Sequence, residues 1–373
     1  MPSSSMRRRI LVACACVSAL VATACLSSRS SSSEPGTLAI ATSFQPRTGL
    51  AIDTDDAFLL SKIGVAEPSV RAGIDGIPTA ALATEWSRVD NTTWEFRLRP
   101  GVTFQDGSPL DAAAVVTALD YVTSVVSPPR AVEGVGIVAT AQGDDTVRVT
   151  TREPDPILPL RLSSPNAAIL SPAAYTSTPP NPMGTGTGPF VLTGNVSGTR
   201  AQLTANDSYW DSRPALNSVT VEFISDASSR SSALLAGDVD IAENLPPSSM
   251  NDLEARDDLN VFSYAAPRTI SMFTNFNNPA LADPRVREAL ERAVDKQMIV
   301  DSILEGAGEP ATEVFGPAVA WGSNETPEAP SPDYAKALLS EAGFTESNPL
   351  ELRLWTYGNG PSSPMSLLRY KTN

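Results

Sequence analysis

The sequence contains no histidine, and its three cysteines, Cys14, Cys16 and Cys25, all lie near the amino terminus. The rest of the chain can therefore form no disulfide, no Cys–His or Ser–His catalytic pair and no Cys/His zinc site. It also lacks a Ser-x-x-Lys pair, a nucleophile elbow and a recognisable metal motif. These absences make an enzyme the weakest interpretation, although scattered carboxylates can still do acid–base chemistry.

The composition is acidic and rich in proline. The 373 residues carry a formal net charge of −15 and include 32 prolines. An acidic body repels nucleic acid and anionic lipid surfaces, so no nucleic-acid partner is expected. The length is sufficient for two lobes with a large buried core.

The amino terminus has the pattern of a bacterial lipoprotein signal. Three arginines at 7–9 precede the apolar segment Ile10–Ala22, which is too short to span a bilayer comfortably, and small residues precede Cys25. Cys14 has a similar context but follows the arginines too closely. We therefore predict a signal peptide over 1–24, a lipid on Cys25 and a Ser-rich tether over 25–36. An ordinary cleaved signal is the alternative.

The most informative stretch is residues 82–119. From 92 to 99 the residues alternate as in a half-buried antiparallel strand, with Trp94, Phe96 and Leu98 on the apolar side. Pro100-Gly101 predicts a turn, and a short strand is expected over Val102–Phe104. Asp111 is positioned to cap a helix. The apolar residues expected on that helix are Val115, Val116, Leu119, Val122 and Val126.

Local signals predict further elements along the chain. A first strand over Leu38–Ala41 leads into a loop over residues 43–46, and Val219, Val221 and Phe223 predict one face of another strand. Asp226, Asp283, Asp295 and Ser331 precede predicted helices. The helix after Asp295 is expected to turn Ile299, Val300, Ile303 and Leu304 inward.

Several segments read together resemble one protein family. They include Leu82-Ala83, Trp86, Asp90, Thr93-Trp94, Phe96, Leu98-Arg99, Gly101-Val102, Phe104, Asp106-Gly107 and Pro109, then GTGPF at 186–190, ALLAGDVDIAENLP at 233–246 and DPRVREALERAVDKQMIV at 283–300. This series resembles the family 5 extracytoplasmic solute-binding proteins of ABC importers, which include dipeptide, oligopeptide and nickel binders. Gln105 departs from the pattern, because many members carry His there. The resemblance to the family extends from Thr37 to about Pro361.

The resemblance implies an α/β fold of mixed sheets with helices, in two lobes like those of type II periplasmic binding proteins. Lobe I is expected over 37–266, with the crossing to lobe II near 265–269, and a partial lobe II over 267–373. Family members continue further and return a segment to the first lobe. A strand after Leu350 is therefore expected to lack neighbours, and residues 362–373 no longer look like the family. These features suggest the hypothesis of a truncated or frameshifted product with a loose second lobe.

The resemblance also implies a function without catalysis or cofactor. A monomeric lipoprotein on the outer face of the bacterial cell membrane would bind di- or oligopeptides and deliver them to the ABC permease. By matching position, the cleft is expected to be bordered by Phe44, Gln45, Arg130, Phe273 and Asn275. Nickel or another small solute is the first alternative, ranked lower because the chain has no His to contact a nickel chelate. A surface lipoprotein that no longer transports is the second.

Overall fold

The computed structural model describes residues 36–73, 75–194, 198–263, 269–317, 319, 321–356 and 366–371. Within these ranges the chain is a mixed α/β structure, as the sequence predicts. Cys25 and most of the predicted lobe crossing at 265–269 lie outside the described residues. None of the described helices is both long enough and apolar enough to cross a membrane.

The strands form five sheets in the described part of the chain. Their bounds are β1 Thr37–Thr42, β2 Glu67–Pro68, β3 Val70–Ala72, β4 Pro78–Ala80, β5 Ala83–Arg88, β6 Thr93–Leu98, β7 Val138–Ala141, β8 Thr146–Thr150, β9 Ala168–Ile169, β10 Phe190–Leu192, β11 Arg200–Ala205, β12 Ser218–Phe223, β13 Ile241–Ala242, β14 Glu351–Thr356 and β15 Ser366–Lys371.

The helices are short, and several begin at prolines. Their bounds are α1 Asp56–Lys62, α2 Ala112–Ser124, α3 Leu158–Arg161, α4 Ala227–Ala236, α5 Met250–Glu254, α6 Pro279–Ala282, α7 Pro284–Ala293, α8 Lys296–Ile303 and α9 Pro332–Glu341, with 3-10 turns at Pro165–Ala167, Pro172–Thr176 and Pro247–Ser249. The predicted aspartate caps are confirmed. Each carboxylate accepts a backbone N–H in the first turn, as Asp111 does from Ala114 at 2.8 Å.

Two sheets dominate the first part of the chain. One is antiparallel, in the order β5-β6-β8-β7, and the other has the order β10-β11-β12-β1-β13. In the second sheet β1 lies between β12 and β13 and runs parallel to both. The parallel trio needs long connections, so its strands come from distant parts of the sequence.

Each of the two large sheets has its own buried core. Phe96 and Leu98 of β6 pack with Leu119 of α2 beneath the four-stranded sheet, as the alternation predicts. The five-stranded sheet packs its apolar face against α1, so that Val221 of β12 and Leu60 of α1 share one core. Burial of each such side chain contributes about 1.5–3 kcal/mol. These two cores account for most of the buried apolar residues described.

A buried carboxylate joins loops between the two cores. Glu67, at the start of β2, accepts hydrogen bonds from Trp210 Nε1 at 2.8 Å, Tyr209 OH at 3.0 Å and Thr187 Oγ1 at 3.1 Å, and it pairs with Arg71. Burial of an unpaired carboxylate would be costly. The four donors offset that cost and fix the loop before β12 against β2.

The glycine-rich segment that precedes β10 is a backbone turn packed against residues 64–65. A Cβ at Gly186 would lie 1.9 Å from Val65 O, and one at Gly188 would lie 2.2 Å from Gly64 O. Gln105, where many family members carry His, donates from Nε2 to the carbonyl oxygens of Gly188 at 3.2 Å and Phe190 at 2.8 Å. In this chain Gln105 therefore holds the turn in place.

Three expectations from the sequence are wrong in detail. Val102–Phe104 is not a strand, because among the described residues it forms just an isolated bridge, from Thr103 to Pro109. Val126 lies beyond the end of α2 and is fully exposed. The last part of the described chain also differs, because β14 has an antiparallel partner in β15.

The inward face predicted for α8 is also wrong. Val300 is buried and Leu304 is half-buried, whereas Ile299 and Ile303 are exposed, Ile303 by 70%. In this part of the described chain the packed core consists of Ala289, Ala335 and Leu338. Helical spacing predicts which residues share a face, but that small core does not extend over this face.

Candidate functional site

Three parallel strands end together at one edge of the five-stranded sheet. Thr42 at the end of β1 pairs with Phe223 at the end of β12, and Ala41 pairs with Ala242 at the end of β13. Open α/β sheets bind ligands outside the carboxyl ends of their parallel strands. We call residues 42–46, 223–226 and 243–244 the strand-end edge, and it is the candidate ligand site.

The loop after β1 presents an aromatic ring at this edge. Phe44 is 38% exposed, and its backbone N–H donates to Thr42 Oγ1 at 3.4 Å. The exposed Gln45 donates from Nε2 to Phe223 O at 3.3 Å, which fastens the loop to the end of β12. The Phe44 ring and the Gln45 side chain are therefore held at an open surface.

The residue after Glu243 connects β13 to the same loop. Asn244 has a left-handed backbone with φ of 51°, which Asn tolerates better than most residues. Its Nδ2 donates to Ser43 Oγ at 3.1 Å. Ser43, Gln45 and Asn244 thus place a hydroxyl and two amides along one edge.

An ion pair and an apolar groove border the edge. Glu243 pairs with Lys62 at the end of α1 and accepts a hydrogen bond from the Thr42 hydroxyl. Beside this pair lies a groove of about 280 Å³ between α1 and the sheet. Its lining includes Leu38, Ile40, Ile63, Phe190, Leu216 and Val221, together with Thr42, Lys62 and Glu243. The site therefore combines polar groups with adjoining apolar surface.

The guanidinium of Arg230 lies beneath the edge. Arg230, on α4, is 2% exposed and donates to the carbonyl oxygens of Ile224 at 2.7 Å, Ser225 at 3.0 Å and Glu243 at 2.8 Å. It also donates to Asn244 O. Burial lowers the pKa of Arg230 from its ordinary value. The carbonyl groups of two edge loops are thereby fixed by one side chain.

The structure brings two of the five predicted ligand residues to this edge. Phe44 and Gln45 belong to it, whereas Arg130 is exposed in a turn after α2. Phe273 is 91% exposed, and Asn275 accepts from the Asn277 backbone at 3.0 Å. Among the described residues, no hydrogen bond joins Arg130, Phe273 or Asn275 to the edge. Their ligand contacts stay a prediction, as do those of the other two.

Sequence reasoning missed the other residues of the edge. Glu243 and Asn244 follow β13 closely, so the rule that adjacent parallel strands end at one edge identifies them only once the pairing of β13 with β1 is known. Ser43 was noted only as part of the loop. Arg230 lies in a Ser-rich helix and gave no signal.

The described residues suggest no metal centre. No three of their Cys, Asp or Glu side chains are grouped closely enough to hold a metal ion, and the chain has no His. The exposed groups of the edge include hydroxyl, amide and aromatic groups, beside the carboxylate of Asp226 that caps α4. Such groups bind organic solutes through hydrogen bonds and apolar contacts.

Curated relatives of the chain are solute-binding proteins. It is 27% identical over 300 residues to the nickel-binding protein NikA of Staphylococcus aureus, covering 80% of this chain and 60% of the relative. It is also 27% identical to the probable D,D-dipeptide-binding periplasmic protein DdpA of Escherichia coli, covering 77% and 57%. The E. coli glutathione-binding protein GsiB is 28% identical, with 72% and 53% covered. The chain thus spans somewhat over half the length of these relatives.

Solved structures agree in fold. NikA of S. aureus in complex with Ni(L-His)2 matches with a TM-score of 0.71 at 26% identity, covering 84% of this chain and 66% of that one. A nickel ABC transporter structure from Bacillus halodurans matches with a TM-score of 0.68 at 30% identity, covering 83% and 64%. Both matches support the predicted fold.

A match to a family model establishes the family of the chain. The model described as bacterial extracellular solute-binding proteins, family 5, middle, matches residues 78–370. The match extends beyond Pro361, so the expectation that the likeness ends there is wrong. The chain belongs to family 5 of the bacterial extracellular solute-binding proteins.

Proposed function

We propose that the chain is the ligand-binding component of an ABC importer and that its ligand is a di- or oligopeptide held at the strand-end edge. Membership of a family of binding proteins supports binding without catalysis. The observation that carries the peptide assignment is the meeting of Ser43, Gln45 and Asn244 with Phe44 at one open edge. Peptide groups donate and accept hydrogen bonds in equal number, and neutral amides and hydroxyls can do both.

The surroundings of the edge suit a peptide side chain as well as its backbone. The Phe44 ring and the apolar groove beside Thr42 provide contact surface for an aliphatic or aromatic side chain. The Lys62–Glu243 pair, which lines the groove, offers both charges for the charged ends of a short peptide. DdpA and GsiB are named for a dipeptide and for glutathione, which also favours this ligand class.

Nickel is the second candidate. It is favoured by the likeness to the S. aureus NikA, whose structure holds Ni(L-His)2. A chain without His would contact such a complex only through other groups, and imidazole is a preferred nickel ligand. The metal would therefore have to arrive with its own chelator.

We further propose that the protein acts outside the cytoplasm as a monomer, anchored through a lipid on Cys25, and that it docks on a membrane permease. The pattern of residues 7–25 supports the anchor. Expression of wild type and Cys25→Ala in a bacterium fed a labelled fatty acid tests it. Label on the wild type alone is expected, and equal labelling of both proteins would refute the anchor at Cys25.

The ligand is tested by thermal unfolding of the purified chain with a mixed pool of di- to pentapeptides, and separately with Ni²⁺ and L-histidine. A ligand at about one hundred times its Kd stabilises the native state by roughly 2.7 kcal/mol, which raises the melting temperature visibly. In Asn244→Ala most of the rise in melting temperature caused by peptides should be lost. The matched exposed control, Asn91→Ala, should keep that rise. A rise with nickel and histidine alone would favour the second candidate. No response to either addition would favour a surface protein that does not transport.

A further inference from the structure

The cation beneath the strand-end edge is Arg230, and the part of the chain that the structure describes gives it no direct counter-ion. Among the described residues, Arg230 forms no ion pair, and the bonds of its guanidinium all go to backbone carbonyl oxygens. The carboxylates of Glu243 and Asp226 act on it only through space. Burying a guanidinium is costly, and an apolar side chain would fill the same volume without that cost. An arginine at this position is therefore explained by the backbone carbonyl groups that its hydrogen bonds hold in place.

The planar geometry of the guanidinium suits the place where it lies. It carries five N–H donors in a rigid fork. Two loops supply the acceptors: Ile224 and Ser225 follow β12, and Glu243 and Asn244 follow β13. Because β1 lies between β12 and β13, Arg230 holds the two loops that flank the loop after β1.

Those two loops in turn hold the exposed groups of the edge. Asn244, whose carbonyl binds Arg230, keeps its left-handed backbone and donates to Ser43. Gln45 donates to Phe223 O, one residue before the carbonyl of Ile224 that Arg230 binds. Ser43, Gln45 and Asn244 are thus each connected to the buried Arg230 through one or two hydrogen bonds and at most one peptide bond.

We propose that Arg230 is a positioning residue for the ligand site: it sets the loops after β12 and β13, and through Asn244 and Phe223 it orients Ser43 and Gln45 for the ligand. This inference rests on the proposed function. It predicts that loss of Arg230 weakens ligand binding more than it weakens the fold. Arg230 does not touch the ligand.

The test compares Arg230→Met and Arg230→Lys with Arg161→Met. Arg161 is a partly buried arginine of the other core that pairs with Asp155 and donates to Ala131 O, which makes it a matched control. Two quantities are measured on the full chain. One is hydrogen exchange of the edge amides, and the other is the concentration of the di- to pentapeptide pool that gives half of the maximal thermal shift.

For Arg230→Met we expect at least tenfold faster exchange at the amides of Ile224 and Glu243, which donate to Thr42 O at 2.9 Å and Ala41 O at 3.2 Å. Hydrogen exchange in β6 and β8 should stay unchanged. The peptide concentration that gives half of the maximal thermal shift should rise at least tenfold. Arg230→Lys should recover part of the slow exchange and part of the peptide binding, because an ammonium can still reach some of the carbonyl groups. Arg161→Met should change neither edge exchange nor binding.

Three results would overturn the proposal. Unchanged edge exchange would show that Arg230 does not hold the loops. Equal acceleration in β6 and β8 would show a general structural role. A loosened edge with unchanged peptide response would show that the ligand does not use the edge, so peptide binding would stand but its placement at the strand-end edge would fail. If peptides do not affect the wild type at all, the proposed function fails, and this inference fails with it.

Discussion

Replacement of Asp56 by alanine should be among the most damaging single changes in the first part of the chain. Asp56 begins α1 and is 2% exposed. Its carboxylate accepts from the backbone N–H groups of Arg47 at 3.0 Å, Thr48 at 2.7 Å and Leu50 at 3.1 Å, and from Thr48 Oγ1 at 2.7 Å. One side chain therefore organises the segment that directly follows the loop of Phe44.

The magnitude follows from which donors lose their partner. Leu50 is fully buried and has a φ of 67°, so its N–H would be left unsatisfied, at about 1–3 kcal/mol. The backbone N–H groups of Arg47 and Thr48 are exposed and can turn to water, so each of these two bonds contributes only about 1 kcal/mol. The Thr48 hydroxyl keeps a second partner in Thr54 Oγ1 at 2.8 Å, so its loss adds little. We expect the free energy of unfolding to fall by about 3–5 kcal/mol.

Urea unfolding followed by tryptophan fluorescence measures this loss. Asp90→Ala is the matched control, because the Asp90 carboxylate also accepts backbone and hydroxyl donors, from Thr92, but in an exposed turn. That variant should change stability little. A loss below about 1 kcal/mol for Asp56→Ala, or equal losses in both variants, would refute the reasoning.

Three further predictions concern the fold. Gly188→Ala should cost about 3 kcal/mol, because a Cβ would meet Gly64 O at 2.2 Å, whereas Gly198→Ala, with open space around it, should cost almost nothing in the same urea assay. Asp111→Ala should lower stability by about 1 kcal/mol through loss of the α2 cap, and unchanged stability would contradict this assignment. Burial raises the pKa of Tyr209 from 10.0 to about 12, so the folded protein keeps the phenol proton longer than the unfolded chain does. Stability should therefore fall between about pH 10 and 12, and the fall should be smaller in Tyr209→Phe.

Local features of the fold could be predicted because their causes are local. Asp111 and Asp226 cap helices by binding an N–H three residues later, and the alternation around Phe96 reflects one half-buried strand. The error at Val102–Phe104 has the opposite cause. A strand requires a neighbouring strand, and this segment instead pairs with residues 108–110 across a tight loop, in an isolated bridge.

The face of α8 shows a second limit. The spacing of Ile299 and Ile303 correctly indicates one apolar face, but burial depends on what packs against it. Within the described residues the adjoining core is small, so both side chains stay exposed. Periodicity alone cannot supply that information.

The candidate site was predictable only in part. Phe44 and Gln45 follow a recognisable first strand, so their place at a strand end could be read from the sequence. Asn244 and Ser43 are 201 positions apart and meet only because β1 pairs with β13. Arg230 depends on the same pairing, since its acceptors belong to two separate loops. Contacts of this range follow from sheet order, which local patterns do not determine.

The central claim is that a peptide binds at the strand-end edge. Hydrogen exchange of the full chain with and without the di- to pentapeptide pool tests this claim most directly. We predict slower exchange at the amides of Phe44, Gln45 and Asn244, with no change in β6 or β8. Protection confined to other segments, or no protection at a peptide concentration that raises the melting temperature, would contradict it.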